Sequence, residues 1–405
     1  MGEIDFNSDR LVRRFKDEAV SVYSIEGKSS AEGGSSSAEY GDSFKRYVVS
    51  TRDTRDLMNY PEIINCDFTN LMQNGITNAL KGINILERIS CISSKSVNVC
   101  HILRGGLNFN VRDALKKAFG YKWHSSSYIS SQRVLKEGKF EISEDQYRKF
   151  IIPDKATIYT ADIVASGVSL NHALEFIFRY MKSKNYSIKN MVFITIGCVE
   201  AEKVLYRWHR IFKEEYPDYE NTFMIYLEGR FALATRETPL YNVLYDTDLL
   251  KNYKFGALLS PEFEYSQFER TIIGLEGCAI YDGGKKGFEP VNHIKDIMEF
   301  WEKQLAVARE RDLSLWEEYN ARFPLDMYFE NFEMGKVGNA SILKRKKSRF
   351  WEGLSDREYE KLHRRFRWLW TDERIESARR KGSFVPVCEK KIKYLRSLIT
   401  EVTQS

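Results

Sequence analysis

The sequence predicts an α/β protein built on a doubly wound parallel sheet, followed by a helical, basic C-terminal region. Two observations carry that prediction. Apolar runs at 96–103, 156–160, 190–198 and 221–227 alternate with segments of helical spacing, the pattern of strands joined by crossover helices. The first two runs also feed short turns rich in Gly and hydroxyl residues, where open α/β sheets receive ligands.

In chain order, 11–25 is predicted as a short helix, and 27–43 as a Gly/Ser-rich loop or linker. From 47 to 79 the text is mixed. Tyr60-Pro61 marks a break, and Phe68, Leu71, Ile76 and Leu80 give a helical pattern. This part is expected to pack on the core as an extension. The strand at 96–103 runs into Arg104-Gly105-Gly106, and Leu107, Val111, Leu115 and Ala118 then suggest one face of a helix. Adjacent glycines let backbone approach a ligand closely, and Arg104 adds fixed positive charge, a combination that suits pyrophosphate. The plain alternative is a tight turn with a surface arginine.

The central stretch is 156–170, ATIYTADIVASGVSL. A buried strand passes through Asp162 into Ser166-Gly167-Val168-Ser169, and Leu170, Leu174 and Ile177 recur at helical spacing. Strand, small turn and helix aim backbone N–H groups and a helix N-terminus at an anion. Asp162, expected one step beyond the strand, would face the same ligand. A carboxylate beside an N–H cradle suits a sugar phosphate. Between the two turns, 121–128 and the polar 129–146 contain Arg133 and Lys136, read either as a mobile flap or as a solvated hairpin.

Later acids, Asp246, Asp248, Glu262, Glu264 and Asp282, have no tight ligand spacing and read as turn acids rather than metal ligands. Asp282-Gly283-Gly284 is first of all a turn. From 291 the spacing of Ile294, Ile297, Met298, Trp301 and Leu305 is helical. The net charge of +5 is concentrated at the end: 341–405 holds 18 Lys and Arg against 9 Asp and Glu. Its aromatics are interleaved with Lys and Arg. They read as the core of an amphipathic helical region, while the basic surface leaves contact with nucleic acid or an acidic partner open. His101 reads as a satisfied core histidine, and His172 lies on the helix after the central turn. The six cysteines are scattered without a C-x-x-C pair, as expected of free thiols in a reducing cytoplasm. No secretory signal or membrane-spanning run is expected.

The two turns resemble the pyrophosphate and 5-phosphoribosyl-1-pyrophosphate (PRPP) loops of type I phosphoribosyltransferases. ILRGGL is closest in form to the uracil-using members. The resemblance is carried by 96–198. It implies a sheet of that family's kind and transfer of phosphoribose to an acceptor with release of pyrophosphate, Mg²⁺ accompanying PRPP. It implies that Asp162 holds the ribose hydroxyls and contributes to Mg²⁺. Ser166, Gly167, Val168 and Ser169 hold the 5′-phosphate, Arg104, Gly105 and Gly106 hold pyrophosphate, and Arg133 closes from the flap. Ala161 stands where the family usually has an acid, and Ala165 lacks the carboxylate of purine-using members. The other expectation is therefore a catalytically reduced regulator or anti-phage effector of this fold. It would bind nucleic acid or a partner protein, such as a reverse transcriptase complex, through the basic C-terminus. A homo-oligomer is expected in either case. The organisation expected is an extension over 1–46, a phosphoribosyltransferase-like domain over 47–289 and a helical basic region over 290–405.

Overall fold

The computed structural model describes residues 9–27, 43–91, 93–103, 105–136, 139–238, 248–269, 289–314, 350–359, 361 and 383–404. One large sheet organises them. Its parallel centre comprises β3 (Phe44–Thr51), β4 (Val97–Leu103), β5 (Ser125–Lys136), β7 (Ala156–Val164), β8 (Ile188–Cys198) and β9 (Asn221–Leu233). Nearly every residue of β4, β7, β8 and β9 is buried, as befits strands covered on both faces. The expected fold class is the one observed.

Helices α1 (Arg52–Asn59), α2 (Asn65–Glu87) and α3 (Val111–Phe119) pack together, and α4 (Val168–Lys184) packs against α5 (Val199–Glu215). The connections β4–α3–β5 and β7–α4–β8 step in opposite directions across the sheet. Right-handed crossovers therefore put α3 and α4 on opposite faces. Thr51 starts α1 through a reciprocal capping box with Thr54, which satisfies backbone donors at that end.

The N-terminal segment departs from expectation. Instead of a helix over 11–25 it forms an antiparallel pair, β1 (Arg10–Lys16) and β2 (Val20–Glu26), which continues the sheet beside β3. Asp17 closes the turn by accepting from the N–H groups of Ala19 and Val20, both at 2.8 Å. An irregularity between Arg13 and Phe15 breaks the strand alternation, leaving Leu11 and Phe15 at a helix-like spacing.

The two-residue strands β10 (Leu249–Leu250) and β11 (Leu258–Leu259) pair with β9, and another, β12 (Trp351–Glu352), adds to β1 in parallel. Trp351 is buried, donates to the Leu259 carbonyl at 3.0 Å, and belongs to the core of the sheet. Phe350 stacks on Tyr253 at 4.4 Å. These two aromatics are thus not the core of a separate helical region, as the sequence suggested. That description fits α7 (Pro290–Arg311) and α8 (Val385–Gln404), whose Ile294, Ile297, Trp301, Cys388 and Leu395 form a second cluster with the adjoining Phe384. The Gly/Ser segment 28–42, Asp246, Asp282 and the basic runs 344–349, 364–367 and 379–381 lie outside the described residues.

Buried charge fixes the far half of the sheet. Arg46 and Arg230 share Asp9 and Glu202, at 2.5 to 3.4 Å. Glu228 on β9 is fully buried with φ +64. It accepts from Ser50 Oγ at 2.6 Å, Thr51 N–H at 2.9 Å, Ser260 Oγ at 3.2 Å and Thr54 Oγ1. Burial pushes its carboxyl up to about 7, against the opposing pull of Arg55 and these donors. A carboxyl raised on folding binds a proton that the unfolded chain gives up, so its contribution is full below the unfolded value and lost as pH rises through about 7. Urea unfolding at about pH 5 and about pH 8 should therefore show the wild type losing more stability than Glu228→Gln, by on the order of 3 kcal/mol at most. Equal losses would contradict this assignment.

Candidate functional site

Counted along the chain, the parallel strands β4, β5, β7, β8 and β9 lie in the order 2-1-3-4-5. The order reverses between β4 and β7, and ligands of open α/β sheets bind at the strand ends beside such a reversal. The two turns singled out in the sequence follow these two strands.

The turns meet. A Cβ on Gly105 would lie 2.6 Å from the Asp162 carboxylate, and one on Gly106 would lie 2.8 Å from the Ala161 carbonyl. The chain after β4 therefore crosses the end of β7 at a distance that only glycine allows. Gly105 opens a 3-10 turn through Phe109, after which α3 begins at Val111. Leu107 lies in that turn and is 48% exposed, so it does not join the inner face formed by Val111, Ala114 and Leu115. Arg104 lies outside the described residues.

Asp162 lies within β7 rather than beyond it, because the strand continues to Val164. It is half-buried, its carboxylate accepts from Ile163 N–H at 2.9 Å, and its carbonyl accepts from Thr195 Oγ1 at 2.8 Å. Ala161 is buried, and the Ala165 carbonyl accepts from the Cys198 thiol at 3.1 Å. Gly167 takes φ +76 as the N-cap of α4, which has no side-chain cap. The first N–H groups of α4, at Val168 and Ser169, thus lack a capping side chain. Ser166 Oγ is buried with no hydrogen-bond partner among the described residues. A buried hydroxyl without a partner is costly in the free protein.

His101 was expected to be a satisfied core residue, but its Nε2 is buried without a partner among the described residues. It pairs in register with Ala161 and stacks on Tyr128 at 5.0 Å. Burial, then Arg112, pushes the ring down to about 4, against an interaction with the Gly106 backbone. A neutral imidazole therefore lies beneath the glycine turn. The sequence signal for it was its position just before Arg104-Gly105-Gly106. His172 packs edge-on against Phe176 at 4.7 Å.

The stretch containing Arg133 and Lys136 is a hairpin: β5 turns back into β6 (Lys139–Lys149), with Arg133 opposite Ile142 and Lys136 opposite Lys139. The later acids that are described do not form a site either. Glu262 accepts from Ser21 and Tyr23, and Glu264 from Tyr253 at 2.6 Å, while Asp248 and Glu264 are buried rather than solvated turn acids. Among the described residues no three His, Cys, Asp or Glu come together to hold a metal. Nor is any described helix long and apolar enough to cross a membrane.

No family model and no curated protein matches the chain. Among solved structures, a hypoxanthine phosphoribosyltransferase from Staphylococcus aureus is 17% identical with a TM-score of 0.22, matching 31% of this chain and 64% of that one. Adenine phosphoribosyltransferase from Trypanosoma brucei is 10% identical with a TM-score of 0.27, matching 40% and 67%. A hypoxanthine phosphoribosyltransferase from Trypanosoma cruzi is 14% identical with a TM-score of 0.24, matching 44% and 87%. The chain thus spans less than two thirds of the Staphylococcus enzyme. At such TM-scores the likeness adds nothing to what the strand order itself displays.

Gly106→Ala should cost about 1–3 kcal/mol of stability, because its Cβ would press on a backbone carbonyl rather than a side chain that can turn away. Chemical denaturation measures this, and a change below about 0.5 kcal/mol would contradict the close crossing.

Proposed function

We propose that the chain binds PRPP, or a related phosphorylated ribose, where the β4 and β7 turns meet. On this reading it transfers phosphoribose to an acceptor with release of pyrophosphate. The observation that carries the reading is the contact of the glycine turn with Asp162 and Ala161 at the reversal of strand order. The unpartnered Ser166 hydroxyl beside the uncapped start of α4 supports it. In this reading Ser166, Gly167, Val168 and Ser169 take the 5′-phosphate, and Asp162 accepts from the ribose hydroxyls. Arg104, Gly105 and Gly106 take the pyrophosphate, and Arg133 closes from the β5–β6 hairpin. The C1–oxygen bond to pyrophosphate would break as a bond from C1 to the acceptor forms, the acceptor losing its proton to solvent, and the Asp162 carboxylate would stabilise positive charge developing at C1. Asp162 would be the chain's contribution to holding Mg²⁺, which would offset the charge of the departing pyrophosphate. The unit responsible would run over 47–289, together with the β1–β2 pair that extends its sheet.

Ala161 favours a second reading, binding without turnover. It is buried with no carboxylate to offer, so Asp162 stands without the neighbouring acid usual in the family. A regulator of this kind would retain PRPP binding and lack pyrophosphate release.

Calorimetry with PRPP, with and without Mg²⁺, tests the binding that both readings share, and a pyrophosphate-release assay separates them. Wild-type binding should require Mg²⁺ and weaken at least tenfold in Asp162→Ala, about 1.4 kcal/mol. Unchanged binding in Asp162→Ala would contradict the site. Ser166→Ala should leave the stability of the free protein unchanged or raised, since it removes an unpartnered hydroxyl, yet weaken PRPP. A loss of stability with unaltered binding would assign Ser166 to the fold instead.

A further inference from the structure

A second cavity lies at the same end of the sheet, beyond β9 from the strand-end turns. Its volume is about 420 Å³, within the range of small-molecule pockets. It is bounded by β1, β2, the start of α1, α6 (Pro261–Glu269) and the segment after β12. From β3 to β7 is three strand spacings, about 15 Å, so the two places are separate.

Five cations line this cavity: Arg13, Lys16, Arg52, Arg55 and Lys361. The two lining acids are already engaged. Glu358 accepts from Arg13 at 2.6 Å and Lys16 at 2.7 Å. Glu262 accepts from Ser21 at 2.7 Å and Tyr23 at 2.9 Å, with Lys16 at 3.7 Å. The other three cations lack a comparable partner among the described residues. Arg52 pairs with Asp56 at 3.8 Å, and its side chain is 83% exposed. Arg55 donates to the neutral Ser50 Oγ at 2.7 Å and forms no ion pair there. Lys361 lies 4.8 Å from the Tyr265 ring centre. Asp53, Asp56 and Glu228 act on the two arginines, but none of them forms an ion pair closer than 3.8 Å. Three cations so weakly held at one cavity attract a polyanion, and two of them are arginines suited to phosphate. Pro261, Leu354 and Tyr265 complete the wall. A bare phosphate would leave that apolar side wet, whereas a base would cover it.

We propose that this cavity binds a nucleoside phosphate, its phosphates on Arg52, Arg55 and Lys361 and its base against Tyr265, Pro261 and Leu354. The site is independent of the phosphoribosyl reading and would give the chain a second, nucleotide-responsive pocket. The test is calorimetry on the full chain with ATP, AMP and inorganic pyrophosphate. Wild type, Asp162→Ala and the double variant Arg52→Glu/Lys361→Glu are compared. Both altered residues are exposed, and matched melting temperatures would confirm folding. ATP should bind wild type and Asp162→Ala alike, with at least a tenfold weaker Kd in the double variant and weaker binding of AMP than of ATP. Four results would overturn the proposal. These are unaltered ATP affinity in the double variant, ATP binding lost in Asp162→Ala, pyrophosphate displacing bound ATP at concentrations no higher than the Kd of ATP, and no binding at millimolar ATP.

Discussion

How closely the backbone after β4 can approach the end of β7 decides whether the candidate site exists at all. Gly106 passes over the Ala161 carbonyl and Gly105 over the Asp162 carboxylate at separations that would overlap any side chain. Because β4 and β7 are paired in parallel, with His101 opposite Ala161, the sheet fixes the origin of both turns. The glycines then set how near they come. Wider spacing would leave Asp162 facing water. The Asp162 carboxylate, the unpartnered Ser166 hydroxyl and the uncapped first N–H groups of α4 all belong to the end of β7 and the turn after it, which the glycine turn meets. On the proposed reading, preset donors and acceptors of this kind would receive a phosphorylated sugar without reorganising.

The other half of the sheet is held by charge rather than by apolar contact alone. Arg46, Arg230, Asp9 and Glu202 are buried together, and Tyr226 donates to Glu202 at 3.2 Å. Such a cluster gains little over well-packed apolar residues, but removing one member strands the rest. It ties the residue preceding β1 to β3, β9 and α5, and so aligns the N-terminal strands with the parallel core. That alignment brings Arg13 and Lys16 beside Arg52 and Arg55 around the second cavity. The far half therefore also carries a cation-lined cavity.

Legibility in the sequence followed the range of the interactions. The strands at β4, β7, β8 and β9 read as continuous apolar runs because both faces of each are covered. The strand–turn–helix order around Gly167 was legible because its positive φ at the start of α4 is a local constraint, whereas the approach of Gly105 and Gly106 to β7 is a tertiary contact. The β1–β2 pair did not, since the irregularity after Arg13 gave Leu11 and Phe15 a helix-like spacing. β12 was invisible for a different reason: its pairing with β1 joins opposite ends of the chain, and two residues carry no period. His101 looked like an ordinary core histidine. Only the folded arrangement reveals its unpartnered nitrogen and its place below the glycine turn. The acids Glu262 and Glu264 were read as solvated because their partners, Tyr23 and Tyr253, are brought to them by tertiary packing.

The central claim is that the turns after β4 and β7 act as one phosphate-binding unit. Hydrogen–deuterium exchange with and without PRPP and Mg²⁺ tests it most directly. The account predicts that the amides of Gly105, Gly106 and Leu107 and those of Gly167, Val168 and Ser169 gain protection together at the same PRPP concentration. Protection of only one turn, or protection confined to the β1–β2 side of the sheet, would contradict it.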